Sequence, residues 1–232
     1  FLKYNFICIY IYMKNDLISI ILIFLIFIFL IWAIKDKINN NKWFIEGMAG
    51  KSKIILAGDN VLNNVDYVKK GNIRHLMEEK SGIVIAETEA TLNNLKSQLH
   101  RIPNKFNNTG TKIFISIGAN DLYNHYKNNN NFDYKYIDEM NNKYKEILST
   151  FKKKYDKVTL VLCDTSFGRL DKKFENLFKK WNEKIYEYGE IHNHKILKLS
   201  KILNKKLIEN KIEPNEKGGK KIVNSIMRQK YQ

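Results

Sequence analysis

The chain has 232 residues, with 40 Lys and Arg against 24 Asp and Glu, for a formal net charge of +16. Beyond one apolar segment near its start, that length holds one ordinary domain with a core of its own, and no repeat period points to a solenoid. The two cysteines, Cys8 ahead of the apolar segment and Cys163 inside a later apolar run, exclude a disulfide framework and a cysteine-based zinc site.

The positive excess is mostly Lys, spread along helix faces in a chain also rich in Asn and Ile. No recognition motif with interleaved aromatics accompanies it, which argues against nucleic acid as a partner.

Residues 1–16 form an N-terminal flank, in which Met13 is the first methionine of a sequence beginning at Phe1. LISIILIFLIFIFLIWAI, from Leu17 to Ile34, is 18 residues without a charge. At about 1.5 Å per residue such a helix spans roughly 27 Å, the thickness of a bilayer core. Asp16 and Lys35 bracket it, and Trp32 stands where an indole prefers the interface. A secretory signal would have a shorter apolar stretch and a small-residue cleavage site, and WAIKDKINNN offers none. The expectation is a single-pass membrane protein with an uncleaved anchor. Lys14 precedes the span while Lys35, Lys37 and Lys42 follow it, which weakly favours a cytoplasmic domain. Asn107-Asn108-Thr109 is a glycosylation triplet of a kind that arises by chance in Asn-rich chains.

Residues 35–51 read as a polar linker. GMAGKS, Gly47 to Ser52, resembles the end of a phosphate-binding loop, but the first glycine of that motif would fall on Ile45, and an apolar strand follows instead of a helix.

Strand and helix patterns then alternate through residues 52–232. KIILA (Lys53 to Ala57), GIVIA (Gly82 to Ala86), KIFISI (Lys112 to Ile117), KVTLVLC (Lys157 to Cys163) and KILKL (Lys195 to Leu199) are short apolar runs that predict buried strands. Between them, Leu92, Leu95, Leu99 and Ile102 recur at helical spacing before Pro103. Ile137, Met140, Tyr144, Ile147, Leu148 and Phe151 stripe a second helix, and Phe174, Leu177, Phe178, Trp181, Ile185 and Tyr188 a third. Ile222, Val223, Ile226 and Met227 give a last amphipathic helix. The Asn-rich stretch Asn124 to Phe132 reads as a mobile loop, either a lid or a tolerated insertion. Continuous apolar strands alternating with long helices imply a parallel sheet covered on both faces, with its site outside the carboxyl ends of the strands.

The residues at those ends are informative. Gly58-Asp59-Asn60 follows the first strand and Gly118-Ala119-Asn120-Asp121 the third. Ile212-Glu213-Pro214-Asn215, then Gly218-Gly219, stands near the C-terminus. Each alone is ordinary turn chemistry. Together, in this order, they resemble the SGNH (GDSL-type) hydrolase family, over roughly residues 53–229. ISIGANDL is the most specific piece, followed by the GDxVxxNxxYV pattern from Gly58 to Val68. IEPNEKGGKKI (Ile212 to Ile222) fits the subgroup whose last motif reads IEP and then GG.

The resemblance implies a three-layer α/β/α, flavodoxin-like fold with a parallel sheet, here preceded by one transmembrane helix. It also assigns roles. The nucleophile position is Asn60, the base position Glu213 and the acid position Asn210, while the glycine of the second block falls near Glu89. Asn120 remains at the oxyanion position, with Asp59 and Asp121 beside these motifs. An amide has no acidic O–H to activate, so Asn60 cannot serve as a serine does, and all three triad residues differ from those the chemistry uses.

The leading expectation is therefore a degenerate ester hydrolase that binds an acyl, glycan or lipid-derived ligand, with Asp59, Asn60, Asn120 and Asp121 in the ligand site. One alternative is an active non-classical esterase using Glu213 as base on water, with Asn120 and a backbone N–H near Asn60 holding the oxyanion. Another is a membrane interaction protein acting through its basic faces. No cofactor or metal is expected. His192 and His194 are two apart with no carboxylate cluster beside them, and His75, His100 and His125 are isolated.

Overall fold

The computed structural model describes residues 53–106, 110–129, 134–165 and 170–229. The apolar run Leu17–Ile34, its linker, Cys8 and the triplet at 107–109 lie outside the described residues. Among the described residues no helix is long and apolar enough to cross a membrane.

Five strands form one parallel sheet: β1 (Ile54–Gly58), β2 (Ile83–Val84), β3 (Lys112–Ser116), β4 (Lys157–Leu162) and β5 (Lys195–Lys198). Their spatial order is β2-β1-β3-β4-β5, the flavodoxin-like order with its switch point between β1 and β3. The central strands β1, β3 and β4 are buried along almost their whole length, which is why they read as unbroken apolar runs rather than alternating ones.

Among the described residues six α-helices accompany them: α1 (Ile73–Glu78), α2 (Leu92–His100), α3 (Ala119–Asn129), α4 (Tyr134–Lys152), α5 (Lys172–Ile191) and α6 (Glu216–Arg228). α1 packs with α6. In a second group α2 packs on α4, and both α4 and α3 pack on α5, which completes a three-layer α/β/α arrangement. The aromatic stripe of α5 is core: Trp181 is almost wholly buried, and its indole N–H donates to the Ile117 carbonyl at 3.0 Å. Cys163 is a buried free thiol, pushed well up by burial.

Three elements differ from the sequence pattern. GIVIA keeps only two ladder residues, because β2 is the edge strand. Beside it, Arg74 takes the Val84 and Ala86 carbonyls at 2.9 and 3.0 Å. The α1 helix has only two buried residues, Ile73 and Met77, too short a stripe to register as periodicity. The stretch expected as a loop from Asn124 is helical as far as Asn129. Tyr123 and Tyr126 of α3 pack on Phe174, with ring centroids 6.0 and 5.5 Å away, and His125 stacks on Tyr136 at 3.8 Å. These tertiary contacts outweigh the weak helix propensity of Asn.

Candidate functional site

Two glycines open the site at the carboxyl ends of the central strands. Gly58 (φ 120°) ends β1 and Gly118 (φ 107°) follows β3. A Cβ on the first would strike the Ser116 carbonyl and on the second the Trp181 indole. The chain can therefore turn sharply where β1 and β3 lie side by side. Gln98 of α2 fixes this turn: its amide accepts from the Gly58 N–H at 2.7 Å and donates to the Gly58 carbonyl at 2.8 Å.

Asp59 follows, buried. Its backbone N–H donates to the Ser116 carbonyl at 2.9 Å, and Oδ1 accepts from the Val61 N–H at 3.2 Å, starting a 3-10 turn over Asn60–Leu62. Oδ2 is buried with no hydrogen-bond partner. Burial pushes this carboxyl up to about 8. The Val61 N–H opposes the shift, and the charges of Glu213 and Asp121 add to it.

Asn60 is buried and both ends of its amide are engaged. Oδ1 accepts from the Glu89 N–H at 2.7 Å, and Nδ2 donates to the Tyr67 hydroxyl at 3.2 Å. Glu89 has φ 55°, in the left-handed region that a glycine enters without strain. A backbone N–H aimed at the nucleophile position is the kind of donor that would hold an oxyanion, and here it holds the Asn60 carbonyl instead. Asn120 acts alike, its Nδ2 donating to the carbonyl of Ala90 at 3.0 Å. Both asparagines thus close on consecutive residues of one loop.

Glu213 is also brought in. Its side chain is buried, with Oε2 accepting from the Ile212 N–H at 3.3 Å. The segment that carries it is closed by a bridge between Ile208 and Pro214 and by the Glu209 N–H donating to the Glu213 carbonyl at 2.9 Å. Asn64 fastens this segment to the first block: Nδ2 donates to the Pro214 carbonyl at 2.9 Å, and Oδ1 accepts from the Ile73 N–H at 2.6 Å. Asn210 is exposed and hydrogen-bonds the Tyr67 hydroxyl. Tyr67 is the meeting point. Partial burial raises its phenol first, the charge of Glu213 next, and the bonds to Asn60 and Asn210 oppose them. At the rim, the Lys211 ammonium lies 4.9 Å from the ring centroid of Tyr123.

Thus Asn60 and Asn210 converge on one phenol that also feels the charge of Glu213, while Asn120 stands one loop residue away. Asp121 is turned elsewhere. Both its oxygens accept from the Leu92 N–H, at 3.2 and 3.0 Å, and hold the first turn of α2. Burial lifts its carboxyl to about 6, against that N–H. Sequence reasoning did not single out Tyr67 or Asn64 as site residues, although both stand in the GDxVxxNxxYV pattern. Gln98 and Lys211 had no such signal. Among the described residues no group of three or more His, Cys, Asp or Glu side chains could hold a metal ion.

No family model and no curated protein matches the sequence. Solved structures do match. A lipolytic protein of the G-D-S-L family from Veillonella parvula has a TM-score of 0.58 at 14% identity, covering 76% of this chain and 96% of its own. An acetylxylan esterase from Geobacillus stearothermophilus gives 0.55 at 16%, covering 78% and 94%. A GDSL-like lipase from Bacteroides thetaiotaomicron gives 0.56 at 13%, covering 76% and 88%. The fold is the SGNH-hydrolase fold. In it, the three blocks that carry the resemblance meet at one end of the sheet, as their order along the chain predicts.

Proposed function

We propose that this chain is a membrane-anchored, catalytically degenerate SGNH-hydrolase-like protein that binds an acyl, glycan or lipid-derived ligand. The reading rests on one observation above others: the Asn60 side-chain carbonyl accepts the Glu89 N–H at 2.7 Å, and so fills the position an oxyanion would need. Nothing nucleophilic stands there, and Asn210, at the acid position, bonds a phenol rather than an imidazole. The likeness to esterases favours a ligand with an acyl, glycan or lipid-derived part. The hydrogen-bonding capacity that Asn60, Asn120, Tyr67 and Asn210 retain beyond their internal bonds suits its oxygens, and the Lys211–Tyr123 pair at the rim suits a ring or chain laid across it. Membrane anchoring rests on the uncharged run Leu17–Ile34.

One observation favours a second reading. Glu213 is buried rather than solvated in its loop, a setting in which a carboxylate could act as base on water. Turnover of short-chain acyl esters by the purified protein, beside Asn60→Ser and Glu213→Gln, separates the two. The expected result is hydrolysis no faster than buffer in all three. Turnover by the starting sequence that vanishes in Glu213→Gln would establish the carboxylate mechanism and refute degeneracy. Ligand binding is read by thermal shift with short fatty acids, acetylated xylo-oligosaccharides and glycerophosphate headgroups, and a true ligand at about a hundred times its Kd raises stability by roughly 2.7 kcal/mol.

A further inference from the structure

Around the candidate site the contacts close on themselves. Asn120 bonds the Ala90 carbonyl, and the neighbouring Glu89 N–H bonds Asn60. Asn60 and Asn210 both bond the Tyr67 hydroxyl. Lys211, next to Asn210 in the chain, lies 4.9 Å from the ring centroid of Tyr123, and Tyr123 is one turn along α3 from Asn120. The Lys211–Tyr123 contact completes this circuit, and it is the link in it made without a hydrogen bond.

A lysine over a ring is not by itself a site. Lys198 lies 4.0 Å from the Tyr186 centroid and Lys105 5.5 Å from that of Phe106. Neither pair stands beside the three blocks in sequence, whereas Lys211 and Tyr123 flank two of them. Among the described residues no carboxylate lies within ion-pair distance of Lys211. Tyr123 is 41% exposed, with its ring edge-on to Phe174.

Magnitudes decide what this contact does when an anion arrives. A cation over an exposed ring favours that arrangement only about two- to five-fold. A hydrogen bond from an ammonium to an anionic oxygen favours its own by about ten- to a hundred-fold. An anion at the rim therefore draws Lys211 off Tyr123 and uncovers the ring. What accompanies the anion is set by the walls. The space beneath Asp59, lined by Cys163, Trp181 and Ile185, does not admit a water molecule, so no acyl chain passes into the core there. The amides of Asn60, Asn120 and Asn210 and the Tyr67 phenol suit hydroxyl groups. The negative face of an aromatic ring attracts the weakly positive C–H face of a sugar. Nearby acids oppose such a ligand only weakly. Burial holds the Asp59 carboxyl up to about 8, so it keeps its proton at neutral pH, and Asp121 is bonded to the Leu92 N–H.

We propose that Lys211 determines the specificity of this site: it exchanges the Tyr123 ring for an anionic group on a sugar, a uronate carboxylate or a sugar phosphate, and the sugar ring then lies on Tyr123. The inference rests on the ligand-binding reading above and narrows its acyl, glycan and lipid-derived ligands to an acidic glycan.

The test is calorimetric titration of the full chain in a zwitterionic detergent. The probes are a galacturonate trisaccharide beside the neutral galactose trisaccharide of the same linkage, glucose 6-phosphate beside glucose, and inorganic phosphate and octanoate alone. The acidic member of at least one pair should bind about ten-fold or more tightly than its neutral partner, and which pair responds tells carboxylate from phosphate. Lys211→Met keeps the length of the side chain without its charge. It should abolish that preference while leaving the neutral sugar within about two-fold, and Lys211→Arg should retain the preference. Equal binding within both pairs overturns the proposal, and so does a preference that survives Lys211→Met. Inorganic phosphate bound as tightly as the acidic sugars would show a bare anion site and overturn it too. Octanoate binding with no response to any sugar overturns this specificity and leaves the wider ligand-binding reading standing, whereas silence from every probe refutes both.

Discussion

The two ends of this one sheet are built on opposite terms. At the carboxyl end nearly every polar side chain is spent on another part of the protein: Asn60 on Glu89 and Tyr67, Asn64 on Pro214 and Ile73, Gln98 on Gly58, Asp121 on Leu92. At the amino end a row of lysines stands at successive strand starts, held by the sheet's register. A network of buried, mutually satisfied groups fixes geometry and is costly to break. A row of half-exposed like charges is screened by solvent and contributes little to folding. Mutations at the two ends should therefore differ in size and in kind.

The largest effect belongs to Asn64. Asn64→Ala leaves the Pro214 carbonyl and the Ile73 N–H buried without a partner, and frees the Glu213 segment from the first block. A loss of about 2–4 kcal/mol is expected from two stranded groups, read as a lowered urea midpoint. A change below about 0.5 kcal/mol would mean that water replaces both bonds and that the site end is not the rigid one.

Asp59 gives the next effect, and its direction is set by linkage. Its carboxyl titrates near 8 in the folded protein against an ordinary 3.8. The folded state thus keeps a proton that the unfolded chain releases, and the resulting stability is full below about 3.8 and is lost as pH rises through 8. Asp59→Asn keeps the shape and removes the titration. Its melting temperature should fall less steeply between pH 4 and 8 than that of the natural protein, with the two curves close at the acid end, where both side chains are neutral, and the variant the more stable at the alkaline end. Parallel curves would show that Asp59 is ionised and solvated by water.

How much of this was legible beforehand follows from the range over which each interaction acts. β1, β3 and β4 announce themselves because burial on both faces leaves only apolar residues, and α5 because its stripe spans twenty residues. The α1 helix did not, since its start depends on Asn72, whose side chain accepts from the His75 N–H, and on Asn64 nine positions earlier. The Asn-rich α3 was hidden for a like reason, its stabilising partners Phe174 and Tyr136 lying outside the segment. At the site, motif order was enough to bring Asn60, Asn210 and Glu213 together. What each side chain does there was not legible. Asp121 read as a ligand group and is committed to α2, while Tyr67 read as part of a pattern and is the hub. Asn60 and Asp121 are committed by hydrogen bonds across 29 residues, to Glu89 and Leu92, and Tyr67 by its bonds to Asn60, seven residues before it, and to the distant Asn210.

The smallest effect is the one that sharpens the contrast most. Lys157→Gln removes the middle charge of the amino-end row while leaving its backbone pairing to Lys112 intact. Relief of repulsion and loss of one exposed amine nearly cancel, so stability should stay within about 0.5 kcal/mol of the natural protein, shifted upward if at all, and only at low salt. A destabilisation beyond about 1 kcal/mol would show that the lysine is structural, held like the groups at the other end. Little change in urea midpoint would instead separate the two ends: one is held by mutually satisfied buried polar groups, the other by backbone pairing that does not need this charge.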